Sequence, residues 1–303
     1  MITLVKDYHE AMGITHNGTM HDDEVFATAF LDLYFNDFKV ARVSEVKDDI
    51  SPKTIVYDIG RGKFDHHQVD AKVRENGIKY SSFGLLFEEY GPLYLKKLKI
   101  KNAKEVYNYF VKDFIEAIDA IDNGIFPDIK SSYKIKIIGD LMKLFNPSYL
   151  SNDNSDEQFL KAVTIAKVII EEELKQVIGK VAASKKVKTI LNKTKGPILI
   201  LDEYLPYQES LLSSPKGKDI KLVIYPTNRG GYGVKTVPIS LTDKNSRVYF
   251  PKGWGGLTNE ALEKETGVKG ATFCHINRFL LTSKDLDSAL ELAKITININ
   301  EKN

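Results

Sequence analysis

Phe64-Asp65-His66-His67-Gln68 sets two adjacent imidazoles behind an acid. Such a run makes a poor core and a poor solvated face, so a metal or phosphate site is the simpler reading. Of the six histidines in the chain, His9, His16, His21, His66 and His67 fall within the first 67 residues, beside Asp22, Asp23 and Asp58. A chance pairing of two histidines in a turn would have to account for these neighbours as well. Together His16, His21, Asp23, Asp58, His66 and Asp122 offer three imidazoles and three carboxylates, with His67 and Asp119 close by in sequence. Nitrogen and oxygen ligands without thiolate suit Mn²⁺, and zinc, cobalt or Mg²⁺ less specifically. Six ligands exceed the needs of one ion with an open position. They suit two ions roughly 3.5 to 4 Å apart, bridged by a carboxylate, that activate a water and stabilise the leaving oxygen of a phosphoester. Asp58, central in order, is the expected bridge and so part of the catalytic pair with His67. His16 and His21 then serve one ion and Asp23, His66 and Asp122 the other, while His67 faces the scissile phosphate as donor or general acid.

Positioning these groups requires particular elements. Met12-Gly13-Ile14-Thr15 reads as a strand that runs into the polar turn His16-Asn17-Gly18. Val25, Phe26, Ala29, Phe30, Leu33 and Tyr34 then recur at helical spacing from the acidic start Asp22-Asp23-Glu24. His16, His21 and Asp23 are thereby expected where a strand ends and a helix begins, the crevice in which open α/β sheets bind ligands. His9 precedes the strand and reads as a surface histidine. Residues 39–43 form a second expected strand and residues 54–58 a third that finishes on Asp58. Residues 81–90 suggest a helix closed by Gly91-Pro92. Residues 103–121 suggest a longer one with Val106, Phe110, Phe114, Ala117, Ile118 and Ile121 on its buried side. Asp119 and Asp122 share a face if that helix reaches them, although Asp122-Asn123-Gly124 is also an ordinary helix exit. Alternating strands and helices predict an α/β fold, doubly wound, with a mainly parallel sheet in the amino-terminal domain.

At 303 residues the chain can hold two domains with their own cores. Its 43% hydrophobic and 28% charged residues describe a globular protein. A net charge of +2 gives no overall basic field, so a polyanion has to be held locally. The single cysteine, Cys274, excludes an internal disulfide framework and cysteine-rich zinc sites. No apolar run reaches the roughly 18 residues of a transmembrane helix, and the start resembles neither a secretory signal nor a transit peptide. No membrane partner and a cytoplasmic location are therefore expected.

Residues 156–191 are amphipathic, and as one helix they would span roughly 50 Å. Strands are expected at residues 198–201, 222–225, 233–237, 247–250 and 271–275, with helices at 259–265 and 284–294, making a smaller α/β carboxy-terminal domain. The expected division is 1–150, a helical linker 151–195, and 196–303. In Arg229-Gly230-Gly231 the glycines would let backbone N–H groups approach a phosphate that the arginine grips bidentately; a plain turn explains the same residues. His275 and Arg278 form a second polar island, with Lys235 a weaker candidate. Trp254, flanked by glycines, either stacks on a base or anchors its loop to the core.

Four stretches resemble the metal motifs of the DHH phosphoesterase superfamily in the right order: residues 16–24 beginning His16-Asn17-Gly18, Tyr57-Asp58-Ile59-Gly60, Phe64-Asp65-His66-His67-Gln68, and Asp119-Ala120-Ile121-Asp122-Asn123-Gly124. More narrowly, Thr15-His16-Asn17-Gly18, residues 79–84 (Lys79 to Gly84) and residues 225–232 around Arg229-Gly230-Gly231 resemble the melanocyte-proliferating-gene family, whose members are described as metal-dependent 3'-5' RNA exonucleases. The similarity runs nearly end to end. It implies a catalytic amino-terminal domain with two Mn²⁺ or Mg²⁺ ions, a helical linker and a carboxy-terminal domain that grips substrate, there including Arg229, Gly230, Gly231, His275 and Arg278. By position His66 is the ligand of the Asp-His-His motif, Asp65 orients its neighbour, and Asp122 is preferred over Asp119. Many superfamily members carry Asp-x-Asp after the first histidine; here His21 takes the earlier place, as in the narrower family.

The leading expectation is a two-metal phosphodiesterase that removes nucleotides from the 3' end of single-stranded RNA or a short oligonucleotide. The alternative is a hydrolase of a small phosphate substrate such as pyrophosphate, a cyclic dinucleotide or a very short oligonucleotide, which near-neutral charge favours because a long RNA groove normally lines up several cations. A binding protein with a vestigial site would lack a ligand, and all six are present.

Overall fold

The computed structural model describes residues 2–302. Packing divides them into two compact units, one running to Gly179 and one starting at Lys180, and the division falls inside a single helix.

In the first unit β1 (Thr3–Leu4), β2 (Gly13–His16), β3 (Lys39–Val43) and β4 (Ile55–Val56) form a sheet of order β1-β3-β2-β4. Every neighbouring pair is parallel. Parallel strands are buried on both faces, hence the consecutive buried residues at Gly13-Ile14-Thr15 and Val40-Ala41. The mainly parallel α/β architecture read from the alternation is the one observed. His16 closes β2 and Asp58 lies two residues past β4, so both emerge at the carboxyl edge of the sheet. The third expected strand, residues 54–58, is ordered as a strand only at Ile55–Val56.

Helix α1 (Asp22–Phe35) buries every residue from Asp22 to Leu33. A helix sequestered all round carries its first-turn acids inside with it. Helix α2 (Ser82–Lys97) does not stop at Gly91-Pro92 but runs through them. An interior proline costs about 3 kcal/mol. Beyond it Tyr94 and Leu95 are buried, and burying two such side chains returns about 1.5 to 3 kcal/mol each.

The expected helix at 103–121 is helical throughout, but as α3 (Ala103–Phe110), a π-helical turn (Val111–Ile115) and α4 (Glu116–Asp122). The wider turn shifts the helical phase. Val106 and Phe110 face the core as expected. Within the π turn Phe114 and Ile115 are buried, and after it Ile118 and Asp119 are the buried residues while Ala117, expected inside, is exposed. A short helix α5 (Ile138–Met142) precedes α6 (Ser155–Lys193), a single helix of 39 residues.

The second unit holds a mixed sheet of order β5-β6-β7-β9-β8, made from β5 (Ile198–Ile200), β6 (Leu222–Pro226), β7 (Tyr232–Thr236), β8 (Ala271–Cys274) and β9 (Leu280–Ser283). Helices α7 (Gln208–Leu212), α8 (Asn259–Thr266) and α9 (Leu286–Lys302) complete it. Residues 247–250 are not a strand: Val248 and Phe250 point into the core without a ladder, so anchoring alone produced the alternation. Trp254 stacks on Phe250, with centroids 6.4 Å apart, and is buried. It anchors its loop rather than presenting a face to a base.

Candidate metal centre

The loops after β2 and β4, the amino end of α1, and the end of α4 bring the separated histidines and acids together. Asp58 is buried, with φ at +57°, a left-handed conformation that costs a non-glycine residue free energy and concentrates at functional sites. Its Oδ2 lies 3.1 Å from His16 Nε2 and its Oδ1 3.1 Å from His66 Nε2. Each oxygen of one carboxylate therefore faces a different imidazole. His66 Nε2 is also 3.1 Å from Asp122 Oδ2 and 3.7 Å from Asp23 Oδ2. The His16 and His21 rings lie with centroids 5.7 Å apart. Three sets of ligand atoms converge to within 4.8 Å: His16, His21, Glu24 and Asp58; Asp58, His66 and His67; and His21, Asp23 and Asp122.

The tautomer of His16 follows from its other nitrogen. Nδ1 sits 2.9 Å from the Asn17 carbonyl, which can only accept, so Nδ1 carries the hydrogen and neutral His16 presents a bare lone pair at Nε2. Carboxylate oxygens of Asp58, at 3.1 Å, and Glu24, at 3.5 Å, lie around that nitrogen. Lone pairs crowded this closely repel unless a proton or a metal ion lies among them. Both oxygens of Asp58, Oδ1 of Asp23 and Oδ2 of Asp22 and Asp122 are buried without a hydrogen-bond donor. Orphaned buried acceptors beside imidazole lone pairs fit divalent cations.

Electrostatics points the same way. Burial pushes the Asp122 carboxyl up to about 8, with Asp23 adding to it, and burial also raises Asp23 and Glu24. Asp58 is opposed by burial too, but with His16 and His66 protonated their charge outweighs it and holds this carboxyl down at about 2, and the acids in turn raise both imidazoles. Without a cation the cluster satisfies itself by protonation, and a cation displaces those protons.

A surrounding layer fixes the acids. Ser82 at the amino end of α2 donates its hydroxyl (2.6 Å) and backbone N–H (3.2 Å) to Asp23 Oδ2, leaving Oδ1 for the centre. Asp119 faces a different way: its Oδ1 accepts from the Ser81 hydroxyl at 2.5 Å and its Oδ2 lies 2.5 Å from Arg74 Nη2. Of the two acids weighed at this helix end, Asp122 meets the histidines and Asp119 ties α2 to α4. Gly84 is required at that tie, because a Cβ there would lie 2.1 Å from Asp119 Oδ2. Asp65 accepts from His67, both at Nδ1 (2.9 Å) and at the backbone N–H (3.0 Å), so it orients the second histidine of the pair. His67 keeps an exposed ring with Nε2 free of that bond.

Glu24, buried beside His16, looks in the sequence like an ordinary helix-start acid. Its carboxylate accepts from the His21 N–H at 2.8 Å while facing His16. The apolar residues on every side of α1 were the signal that its first turn would be buried.

In the second unit Arg229, Gly230 and Gly231 form the exposed β6–β7 turn, closed by the Thr227 N–H to the Gly231 carbonyl at 3.0 Å. His275 and Arg278 lie on the β8–β9 turn. The register pairs Tyr232 with Ser283 and Lys235 with Leu280, so the two turns stand at opposite ends of the sheet, a strand length or about 10 to 13 Å apart. The fold does not gather these five residues into one cluster. Lys235 shares the end that carries His275, where the Phe279 and His275 rings lie tilted against each other with centroids 4.5 Å apart. Among the described residues no helix is long and apolar enough to cross a membrane.

Comparison with known proteins bears on this arrangement. Residues 13–297 match the model of the MYG1_exonuc family, described as "Uncharacterised protein family (UPF0160)". The chain is similar to a protein of Dictyostelium discoideum called "MYG1 protein", 30% identical over 95% of this chain and 97% of that one. It is similar to the Saccharomyces cerevisiae "MYG1 protein YER156C", 28% identical over 93% of this chain and 94% of that one. The Homo sapiens protein called "MYG1 exonuclease" is 27% identical, over 93% of this chain and 85% of that one. A family match across nearly the whole length, with a relative at 30% identity, shows that the chain belongs to the MYG1 family.

Proposed function

We propose that the protein is a metal-dependent phosphodiesterase of the DHH phosphoesterase kind that removes nucleotides from the 3' end of single-stranded RNA. The observation that carries this reading is the Asp58 carboxylate, buried and donorless, with each oxygen 3.1 Å from a different imidazole. The relatives named exonucleases support the nuclease part.

His16, His21, Asp23, Asp58, His66 and Asp122 would hold two divalent cations, Mn²⁺ by preference or Mg²⁺, with Glu24 as a further ligand on the His16 side. When bound, such ions supply Lewis acidity, lowering the pKa of a water and neutralising charge on the phosphodiester. The chain's own residues do the remainder. Asp65 holds the Nδ1–H of His67, so His67 Nε2 is the nitrogen that donates to the substrate. The oxygen of water bonds to phosphorus, the bond from phosphorus to the 3' oxygen breaks, and that oxygen takes the proton of protonated His67. The proton lost by the water passes to solvent. Ser82 keeps Asp23 from rotating away from the centre. In the second unit, Arg229 with its two glycines and the His275–Arg278 turn would hold the strand.

The test uses 5'-labelled single-stranded RNA with Mn²⁺, comparing the wild type with Asp58→Ala and His66→Ala. A ladder shortened from the 3' end, lost in both variants, is expected. Turnover confined to dinucleotides or pyrophosphate would replace this reading with a small-substrate hydrolase, which the net charge of +2 favours. Tight Mn²⁺ binding with no phosphoester cleaved would sink both.

A further inference from the structure

The chain between Asp122 and Ser155 is built unlike the rest of the first unit. Residues 123–137 contain no helix or strand, and only α5 and one 3-10 turn (Lys143–Phe145) interrupt the remainder. Connections this long inside a compact unit are uncommon and usually functional. Its middle and its far end are tied to the first motif, at Gly18, Met20 and Asp22. It departs from Asp122 itself. Asn146 clamps the backbone of Met20, next to His21, accepting its N–H at 2.8 Å and donating to its carbonyl at 2.9 Å. Gly139 packs so tightly on Asp22 that a Cβ would lie 2.9 Å from its Oδ2. At the far end the Ser155 hydroxyl donates to the Gly18 carbonyl at 3.1 Å.

What lies between these anchors faces outward. Of the 22 exposed large hydrophobic residues among those described, nine fall within residues 125–150, a concentration that marks an interaction surface. Tyr149 is fully exposed, Tyr133 is 75% exposed and Phe126 61%. Interleaved with them are Lys130, Lys134, Lys136 and Lys143, all exposed, against Asp128 and Asp140. Among the described residues no ion pair or hydrogen bond engages any of these four ammonium groups.

We propose that this segment is a strand-holding surface of the catalytic unit, on which unpaired bases stack against Tyr133 and Tyr149 while the four lysines meet the phosphates. It rests on the nuclease reading above and extends it: the substrate is gripped beside the metal centre and not only by the second unit. Aromatic faces alternating with cations are what a single strand requires, since every base has a π face and every linkage a charge. A second copy of this chain fits less well, because a symmetric contact would bring two surfaces of the same net positive charge together.

The experiment compares kcat/KM on single-stranded RNA and on bis(4-nitrophenyl) phosphate, with Mn²⁺, for the full-length wild type, a Tyr133→Ala/Tyr149→Ala variant and a Lys134→Gln/Lys136→Gln variant. The tyrosine variant is expected to lose at least about tenfold more on RNA than on the small diester, the scale of removing base stacking. The lysine variant is expected to flatten the salt dependence of RNA affinity, by about 0.7 in logarithmic slope for each phosphate that is no longer neutralised. Equal losses on both substrates with an unchanged salt slope would overturn the segment's role and leave the nuclease reading standing. If the wild type cleaves neither substrate, the nuclease reading has failed. RNA binding by fluorescence anisotropy then decides the segment separately, and equal Kd in wild type and tyrosine variant overturns it. A variant that turns a dimer into a monomer by light scattering, with RNA kinetics unaltered, assigns the face to a second copy and also overturns the proposal.

Discussion

The polar clusters of the two units are built on opposite principles. In the first, carboxylate oxygens are buried beside the imidazoles and left without donors: both of Asp58, one of Asp23, one of Asp122. In the second, the two turns are exposed and closed by backbone partners. The His275 ring accepts the Asn277 N–H at 3.0 Å, Arg278 donates to the Phe250 carbonyl at 3.1 Å, and Thr227 closes the turn that carries Arg229. An unsatisfied buried cluster costs stability and must be completed by something from outside. A satisfied exposed one asks for nothing. The first unit thus holds the cluster that calls for a ligand, and on the proposed reading the second contributes at most a grip.

The comparison breaks most visibly at Asp58. Replacing it by alanine removes the one carboxylate shared between imidazoles, and hydrolysis is expected to fall more than about 100-fold, the upper range of what even outer partners of a metal site cost. Arg229→Ala, measured in the same assay, should leave kcat within about tenfold. An Arg229→Ala loss as large as that of Asp58→Ala would erase the contrast between the units.

Stability against pH in chelator-treated protein sharpens it. Burial, with Asp23 behind it, pushes Asp22 up to about 6 from an ordinary 3.8. A carboxyl raised on folding binds its proton more tightly in the folded state, so the penalty is absent below about pH 4, grows to pH 6 and then stays constant. The shift corresponds to about 3 kcal/mol at most. Asp22→Asn should therefore reduce the fall in Tm between pH 4 and 6, and saturating Mn²⁺ should raise the wild-type Tm above pH 6. A Tm indifferent to both would mean that the cluster is not strained.

The support behind the centre predicts a further loss. Gly84→Ala drives a Cβ against Asp119, and an overpacked buried site costs about 1 to 3 kcal/mol. Denaturant unfolding should move its midpoint down by that amount, with the slope unchanged.

How far the sequence foretold this differs from element to element, for physical reasons. The strands at 13–16 and 39–43 and the helix from Asp22 were legible because apolar period and turn chemistry agree there. His16, Asp23 and Asp58 come together because strand ends and helix starts of a parallel sheet share one edge, and the loop carrying His66 and the end of α4 with Asp122 reach the same place. The phase of the helix beyond Phe110 was not legible. A π turn at Val111–Ile115 inserts its extra residue without any distinctive side chain, and it turned Ala117 out and Asp119 in. Glu24 was hidden for a related reason, since an acid in a first helical turn is ordinary until the whole turn is buried. The run of α2 through Pro92 needed the packing of Tyr94 and Leu95, which local preference does not contain.

The smallest expected effect concerns the two turns of the second unit. Because Arg229 and Arg278 stand at opposite ends of one sheet, a substrate that touches both must run along it, and one too short to do so touches one alone. Arg229→Ala and Arg278→Ala should each raise KM for a long RNA by about tenfold or less, in keeping with a hydrogen bond to a charged group worth about 1.5 kcal/mol. The pair should be additive within about 0.5 kcal/mol, since side chains this far apart share no partner. On a dinucleotide at most one of the two should matter. Strong coupling between them, or equal sensitivity of the dinucleotide to both, would mean that the turns act at a single point, and the extended grip would have to be abandoned.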